Sequence, residues 1–135
     1  MVRVSPDSQT LWLQTQRGNT NDVLEVATLR TLATEPVGKE PVVNAWTPDR
    51  RYSYVSHYAD EFVSVFDAAT FKEVGRIHIG ANHGNITFRP DGKLVYVSVI
   101  GANKVAVIDT ETRQVVKHIP AGKRPWGLII WPIQK

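Results

Sequence analysis

Arg89-Pro90-Asp91-Gly92-Lys93-Leu94-Val95-Tyr96-Val97-Ser98, followed closely by Asn103-Lys104-Val105-Ala106-Val107-Ile108-Asp109-Thr110, is the stretch that decides the fold. It reads as a turn, an apolar strand, a second turn and another strand. Proline presets φ in the first turn, and Gly92 is free to take φ > 0. Valine, isoleucine and tyrosine suit a pleated surface. Val105-Ala106-Val107-Ile108 is apolar on both of its faces, as expected of a sheet covered on both sides.

The same pattern recurs at a fixed step of 42 residues. Pro6-Asp7, Pro48-Asp49 and Pro90-Asp91 mark it. So do Gly38, Gly80 and Gly122, and Val23, Val65 and Val107. Glu25, Asp67 and Asp109 keep the step, as do Thr28, Thr70 and Thr112, and the aromatics Trp12, Tyr54 and Tyr96. The register holds without a gap, and independent coincidences at one offset multiply. In the third unit the spacing predicts strands at 85–88, 94–99, 104–109 and 114–119. Gly101-Ala102-Asn103 would join the middle pair. Asp109 and Thr112 would cap the amides of the next corner. Four-stranded sheets repeated about every 40–45 residues are the blades of a β-propeller. The fold class is therefore all-β, with three consecutive four-stranded antiparallel sheets. Their approximate bounds are 2–43, 44–85 and 86–127, and 128–131 is expected to be one extra inner strand belonging to a next blade. Pro, Gly and Asp every few residues exclude helical repeats.

Composition agrees with this reading. The 135 residues suit a single domain, and 42% hydrophobic with 21% charged residues is ordinary for a globular protein. The apolar runs are far shorter than the ~20 residues of a membrane helix, so no membrane span is expected. Met1–Asp7 has no apolar run of the kind a secretory leader requires. There is no cysteine, which excludes disulfides, thiolate metal sites and cysteine nucleophiles. Net charge is +3 and the basic residues are scattered, so no specific nucleic-acid binding is expected. No Gly-x-Ser-x-Gly, Gly-x-Gly-x-x-Gly or Walker loop occurs.

The quoted stretch resembles the YVTN family of β-propeller repeats, named for a Tyr-Val-Thr-Asn segment. The matching segments are Tyr96-Val97-Ser98-Val99, Tyr54-Val55-Ser56-His57 and, loosely, Trp12-Leu13-Gln14-Thr15. The resemblance covers essentially the whole chain. No Trp-Asp pair ends a strand, so tryptophan–aspartate repeats are not resembled. The family includes surface-layer and periplasmic propellers, propellers encoded beside quinone-dependent dehydrogenases and, more distantly, haem-d nitrite reductase propellers. The resemblance implies a binding or scaffold role in a periplasmic or extracellular setting, with catalysis only where a cofactor is added. No cofactor is expected for this chain.

Propellers close with about four to eight blades, and three cannot close. Either further blades belong to a longer chain, typically giving seven in this family, or copies associate, a dimer supplying six. Val2-Arg3-Val4 and Leu128-Ile129-Ile130-Trp131 stand in the register of Ile86-Thr87-Phe88. Both would claim the same slot in a ring of two, and the second is the more apolar.

Ligands of propellers usually bind at the channel mouth, formed by the loops between second and third strands and after fourth strands. His57 and His83 fall there and break the repeat. They either shape the turns or, in the weaker reading, supply nitrogens to a metal or haem. No third metal ligand is evident. As rim residues their joint replacement by alanine is expected to leave folding nearly intact, within about 0.5 kcal/mol. Asp60 and Glu61 have no acidic counterparts in the other units. Lys39, Lys123 and Arg124 would make the rim positive and favour an anionic small molecule or protein partner. Trp126 is a candidate anchor. Trp46 and Trp131 are expected to pack, and His78 and His118 to be solvated. The repeating acids, Asp67, Asp109 and Glu25 with the three Pro-Asp acids, are expected to serve the fold. No catalytic residue is expected.

Overall fold

The computed structural model describes residues 1–130. Twelve strands follow one another in chain order: β1 (Val2–Val4), β2 (Thr10–Thr15), β3 (Thr20–Glu25), β4 (Thr31–Pro36), β5 (Pro41–Trp46), β6 (Tyr52–His57), β7 (Phe62–Asp67), β8 (Glu73–His78), β9 (His83–Phe88), β10 (Leu94–Val99), β11 (Lys104–Asp109) and β12 (Gln114–Pro120). Each consecutive group of four forms one antiparallel sheet, so there are three blades. The only helical segment among the described residues is a 3-10 turn at Ile100–Ala102.

The repeat extends to details. The ladder between third and fourth strands shifts register at Val23/Leu24, at Val65/Phe66 and at Val107/Ile108, each 42 residues on. Such a shift bends the strand and increases its twist. Left-handed backbone recurs at Ser8, Arg50 and Gly92, and again at Leu29, Phe71 and Arg113. The Pro-Asp carboxylates cap their turns. Asp49 Oδ1 accepts from Thr47 Oγ1 at 2.5 Å and from the Arg51 amide at 3.0 Å, and Asp7 does the same with Ser5 and Gln9. Asp109 Oδ1 accepts from the Glu111 and Thr112 amides at 3.0 and 2.8 Å, and Asp67 repeats this geometry. These hydrogen bonds favour the ionised form, so the carboxyls of Asp7, Asp49, Asp67 and Asp109 lie below the usual aspartate value.

Side chains alternate between the two faces of each strand. Tyr54 and Val65 leave the middle blade towards the third, where they meet Ile86, Val95, Val97 and Ile108 in one core. Val55 and Phe66 face the first blade and meet Trp12 and Val23 in the other. Trp46 packs edge-on against Trp12 at 5.8 Å, and Phe88 against Tyr54 at 5.0 Å. The fourth strands are mostly exposed. Trp46 thus packs as expected; Trp131 lies outside the described residues.

The extra inner strand is different. Over its described part, Leu128–Ile130, it makes no ladder with any strand. An inner strand is held by the second strand of its own blade, and the described residues offer it none. Trp131, the last residue of that expected strand, is not among them.

Candidate functional site

The residues expected on the rim separate into two groups. His57 ends β6 and His83 begins β9. Neither is a solvated loop residue, because both are 0% exposed. The expectation that their replacement leaves stability nearly unchanged is therefore corrected. His57 Nδ1 bonds the Phe62 carbonyl at 2.8 Å, and its ring lies against Phe62. His83 Nε2 bonds the Gly80 carbonyl, while its Nδ1 accepts the His57 amide at 3.4 Å. That pattern assigns the proton of His57 to Nδ1 and that of His83 to Nε2. His57 Nε2 is buried and makes no hydrogen bond.

Burial, which disfavours the charged imidazolium, lowers the pKa of both rings. His83 falls from 6.5 to about 4. A base with a depressed folded pKa binds fewer protons folded than unfolded. Its contribution is present above the unfolded value and lost as the pH falls towards the folded one. Unfolding free energy should therefore decline between about pH 6.5 and 4, by roughly 3 kcal/mol from His83 alone. Urea midpoints measured across this range check it; a flat profile would contradict a neutral, buried His83.

Asp60 and Lys39 complete the first group. Asp60 Oδ2 accepts the Lys39 amide at 2.5 Å, which ties the loop entering the second blade to the β6–β7 turn. A Cβ at Gly38 would come within 2.8 Å of Asp60 Oδ2 and 3.0 Å of His57 Cδ2. This glycine is thus needed for close approach, not for its φ. Glu61 is exposed, and its carbonyl accepts the amides of Ile79 and Gly80. The side chain of Lys39 is exposed beside a separate cleft bordered by Arg17, Asn19 and Glu40.

The second group is Lys123, Arg124 and Trp126, on the loop following β12. Arg124 is left-handed (φ 54°), and its amide donates to Asn103 Oδ1 at 2.9 Å. Trp126 is 56% exposed, with its indole edge-on to Tyr58 at 6.1 Å. Its backbone is pinned: the Trp126 carbonyl accepts from Ser98 Oγ and from the Asn85 amide, both at 3.1 Å. Beside it lies a cleft of about 280 Å³ lined by Tyr58, Asn82, Ile100, Gly101, Asn103 and Arg124. Its lip carries cationic, amide and aromatic groups together.

Two residue sets escaped the reading of the sequence. Ser56 Oγ donates to the Gly84 carbonyl at 2.8 Å, and Ser98 Oγ repeats this on Trp126 one unit later. These serines staple a second strand to the chain of the following blade. Their recurrence 42 apart was the available signal. Tyr58, the support of Trp126, gave none. Among the described residues no group of three or more His, Cys, Asp or Glu is placed to hold a metal ion. Among the described residues no helix is long and apolar enough to cross a membrane.

No family model matches the chain. Two curated relatives do: Protein NirF of Pseudomonas aeruginosa, 29% identical over 89 residues, covering 64% of this chain and 23% of that protein, and Antigen Lp49 of Leptospira interrogans, 32% identical over 111 residues, covering 72% and 24%. The chain spans about a quarter of the length of these relatives. Among solved structures, Kuenenia stuttgartiensis hydrazine synthase superposes with a TM-score of 0.85 at 30% identity, over 92% of this chain and 36% of that one. Dihydro-heme d1 dehydrogenase NirN, solved in complex with DHE, superposes with a TM-score of 0.74 at 18% identity, over 90% and 28%. Three successive antiparallel four-stranded sheets, almost no helix and these superpositions establish that the chain has the fold of β-propeller blades.

Proposed function

We propose that this chain is a non-catalytic binding or scaffold module of the YVTN type, taking an anionic small molecule or an acidic segment of a protein at the rim between the second and third blades. The observation that carries the reading is Trp126: a large aromatic side chain, more than half exposed, on a backbone pinned by Ser98 and Asn85. Ordering cost is already met at such a residue, so its surface is available for contact. Lys123 and Arg124 on the same loop supply the positive potential. His57 and His83 support the loops from beneath and do not face the ligand.

Titration with pyrophosphate and with citrate, followed by amide shifts in a nitrogen–proton correlation spectrum, tests this. Shifts should concentrate at Tyr58, Asn82, Asn103 and residues 123–126. They should fall at least tenfold in a Lys123→Ala/Arg124→Ala variant, with stability changed by under about 0.5 kcal/mol. Shifts confined to the Pro-Asp turns or the outer fourth strands would refute the assignment.

One observation favours a second reading, a propeller that holds a metal or haem for a redox enzyme. His57 Nε2 is buried without a partner, and NirN, which has a similar fold, is a dihydro-heme d1 dehydrogenase. The fit is poor. Both nitrogens of His83 and Nδ1 of His57 are engaged by the protein, and the His57 ring is closed in by Gly38 and Phe62. A visible absorbance spectrum and metal analysis of the purified protein separate the two readings.

A further inference from the structure

The junction between the first and second blades is built differently from the next one. Trp12 and Val23 of the first blade meet Val55 and Phe66 of the second across it. Side chains two residues apart on a strand share a face, so Gln14 and Asn21 point into this junction beside Trp12 and Val23. From the other side His57, two residues after Val55, does the same, as do Asn44 and Ser64, the partners of Val55 on β5 and β7. Gln14 is 4% exposed and the other four are 0% exposed. One repeat on, 42 residues later, these positions hold Ser56, Val63, Ile86, Val99 and Ala106. The last four belong to the apolar core between the second and third blades, and Ser56 is bonded to the Gly84 carbonyl.

Each of the five polar side chains keeps one atom for which the protein supplies no partner: Gln14 Oε1, Asn21 Nδ2, Asn44 Oδ1, His57 Nε2 and Ser64 Oγ. Gln14 Nε2 donates to Asn21 Oδ1 at 2.9 Å, and Asn44 Nδ2 donates to Ser53 Oγ at 3.0 Å. Turning these amides over exchanges which of their atoms are free and leaves the number the same. Orphaned buried polar groups are expensive, and five together rival the whole stability of a domain. The next junction shows that the repeat accepts apolar residues at four of these places, so the polar set is there to meet an occupant. With the proton of His57 on Nδ1, its Nε2 is an acceptor. The occupant thus faces acceptors from Gln14, Asn44 and His57, a donor from Asn21 and a hydroxyl that can do either. None of these groups is charged, so neither an anion nor a cation would be compensated. A small neutral molecule that both donates and accepts fits them, and that molecule is water.

We propose that the junction between the first and second blades is a binding site for structural water, held among Gln14, Asn21, Asn44, His57 and Ser64. A buried water makes about three hydrogen bonds, so the five free atoms take about two molecules. These waters stitch the first blade to the second by hydrogen bonds, where the second and third are joined by apolar contact. The site also gives His57 Nε2 a partner other than a metal or haem. The inference goes beyond the rim reading and does not depend on it.

Oxygen-17 magnetic relaxation dispersion of the purified protein tests this, because it counts waters that stay longer than the molecule takes to tumble and is blind to labile side-chain protons. Asn21→Val/Asn44→Ile/Ser64→Ala, which installs the residues of the next junction, should lower that count by about two. An unchanged count overturns the proposal. A second readout needs no variant. Cross-relaxation from water should reach the methyls of Val55, which is buried between Asn44 and Ser64, and should be missing at Val97, its buried counterpart 42 residues on. Equal transfer at both, or none at Val55, overturns it. So does a shift of the His57 Nε2 resonance when metal is chelated, which would put an ion there in place of water.

Discussion

Trp12→Ala should lower the unfolding free energy by about 3–5 kcal/mol, the range for removing a fully buried indole. The indole stands in a cage of three edge-on rings, Trp46 at 5.8 Å, Phe71 at 6.0 Å and Phe66 at 6.2 Å. Its Nε1 donates to Thr10 Oγ1 at 3.0 Å. All three rings belong to the second blade, so the void would open between blades and not within one. Collapse would require two sheets to approach as rigid bodies, which backbone ladders resist, and the cavity therefore stays. Equilibrium urea unfolding followed by circular dichroism measures the loss. A cost under about 1 kcal/mol would mean that the first blade does not depend on the second.

The double replacement His57→Ala/His83→Ala should cost about 3–5 kcal/mol. Two buried rings leave a cavity. The carbonyls of Phe62 and Gly80 and the amide of His57 also lose their partners. Each such orphan in a dry setting costs about 1–3 kcal/mol. The same variant should lose the decline in stability between pH 6.5 and 4, because the groups responsible are gone. Urea titrations of both proteins at pH 7.5 and pH 4.5 read both effects. Equal stability of variant and parent at pH 7.5 would show these rings to be dispensable.

The fold was legible because its determinants repeat. Turn prolines, capping aspartates and strand valines each serve a local purpose, and each appears three times at one step. The corner bonds of Asp67 and Asp109 lie within three residues of the acid, so sequence spacing alone identifies them. The candidate site was harder because its geometry is set across blades. His57 and His83 break the repeat, which suggested a ligand. The structure gives another cause: the space beneath the rim is filled differently at this junction, with Gly38 and Phe62 closing around His57. Departure from a repeat marks local difference, and packing differs between blades as readily as function does. Trp126 was identifiable as a rim residue, but its fixed backbone depends on Ser98, 28 residues away. The unpaired state of Leu128–Ile130 was likewise invisible, since its register matches that of strands that do pair.

The alternation along β6 has a consequence for how the molecule comes apart. Tyr54 belongs to one apolar core and its neighbour Val55 to the other. One strand of the middle blade is thus a party to both. Tilting that strand to ease one interface loads the other, so the central sheet has no harmless direction in which to yield. Among the described residues each flanking sheet takes part in one of these two cores, and the middle sheet takes part in both. Strain placed on either interface is therefore felt at the other, and the middle blade is the keystone between them.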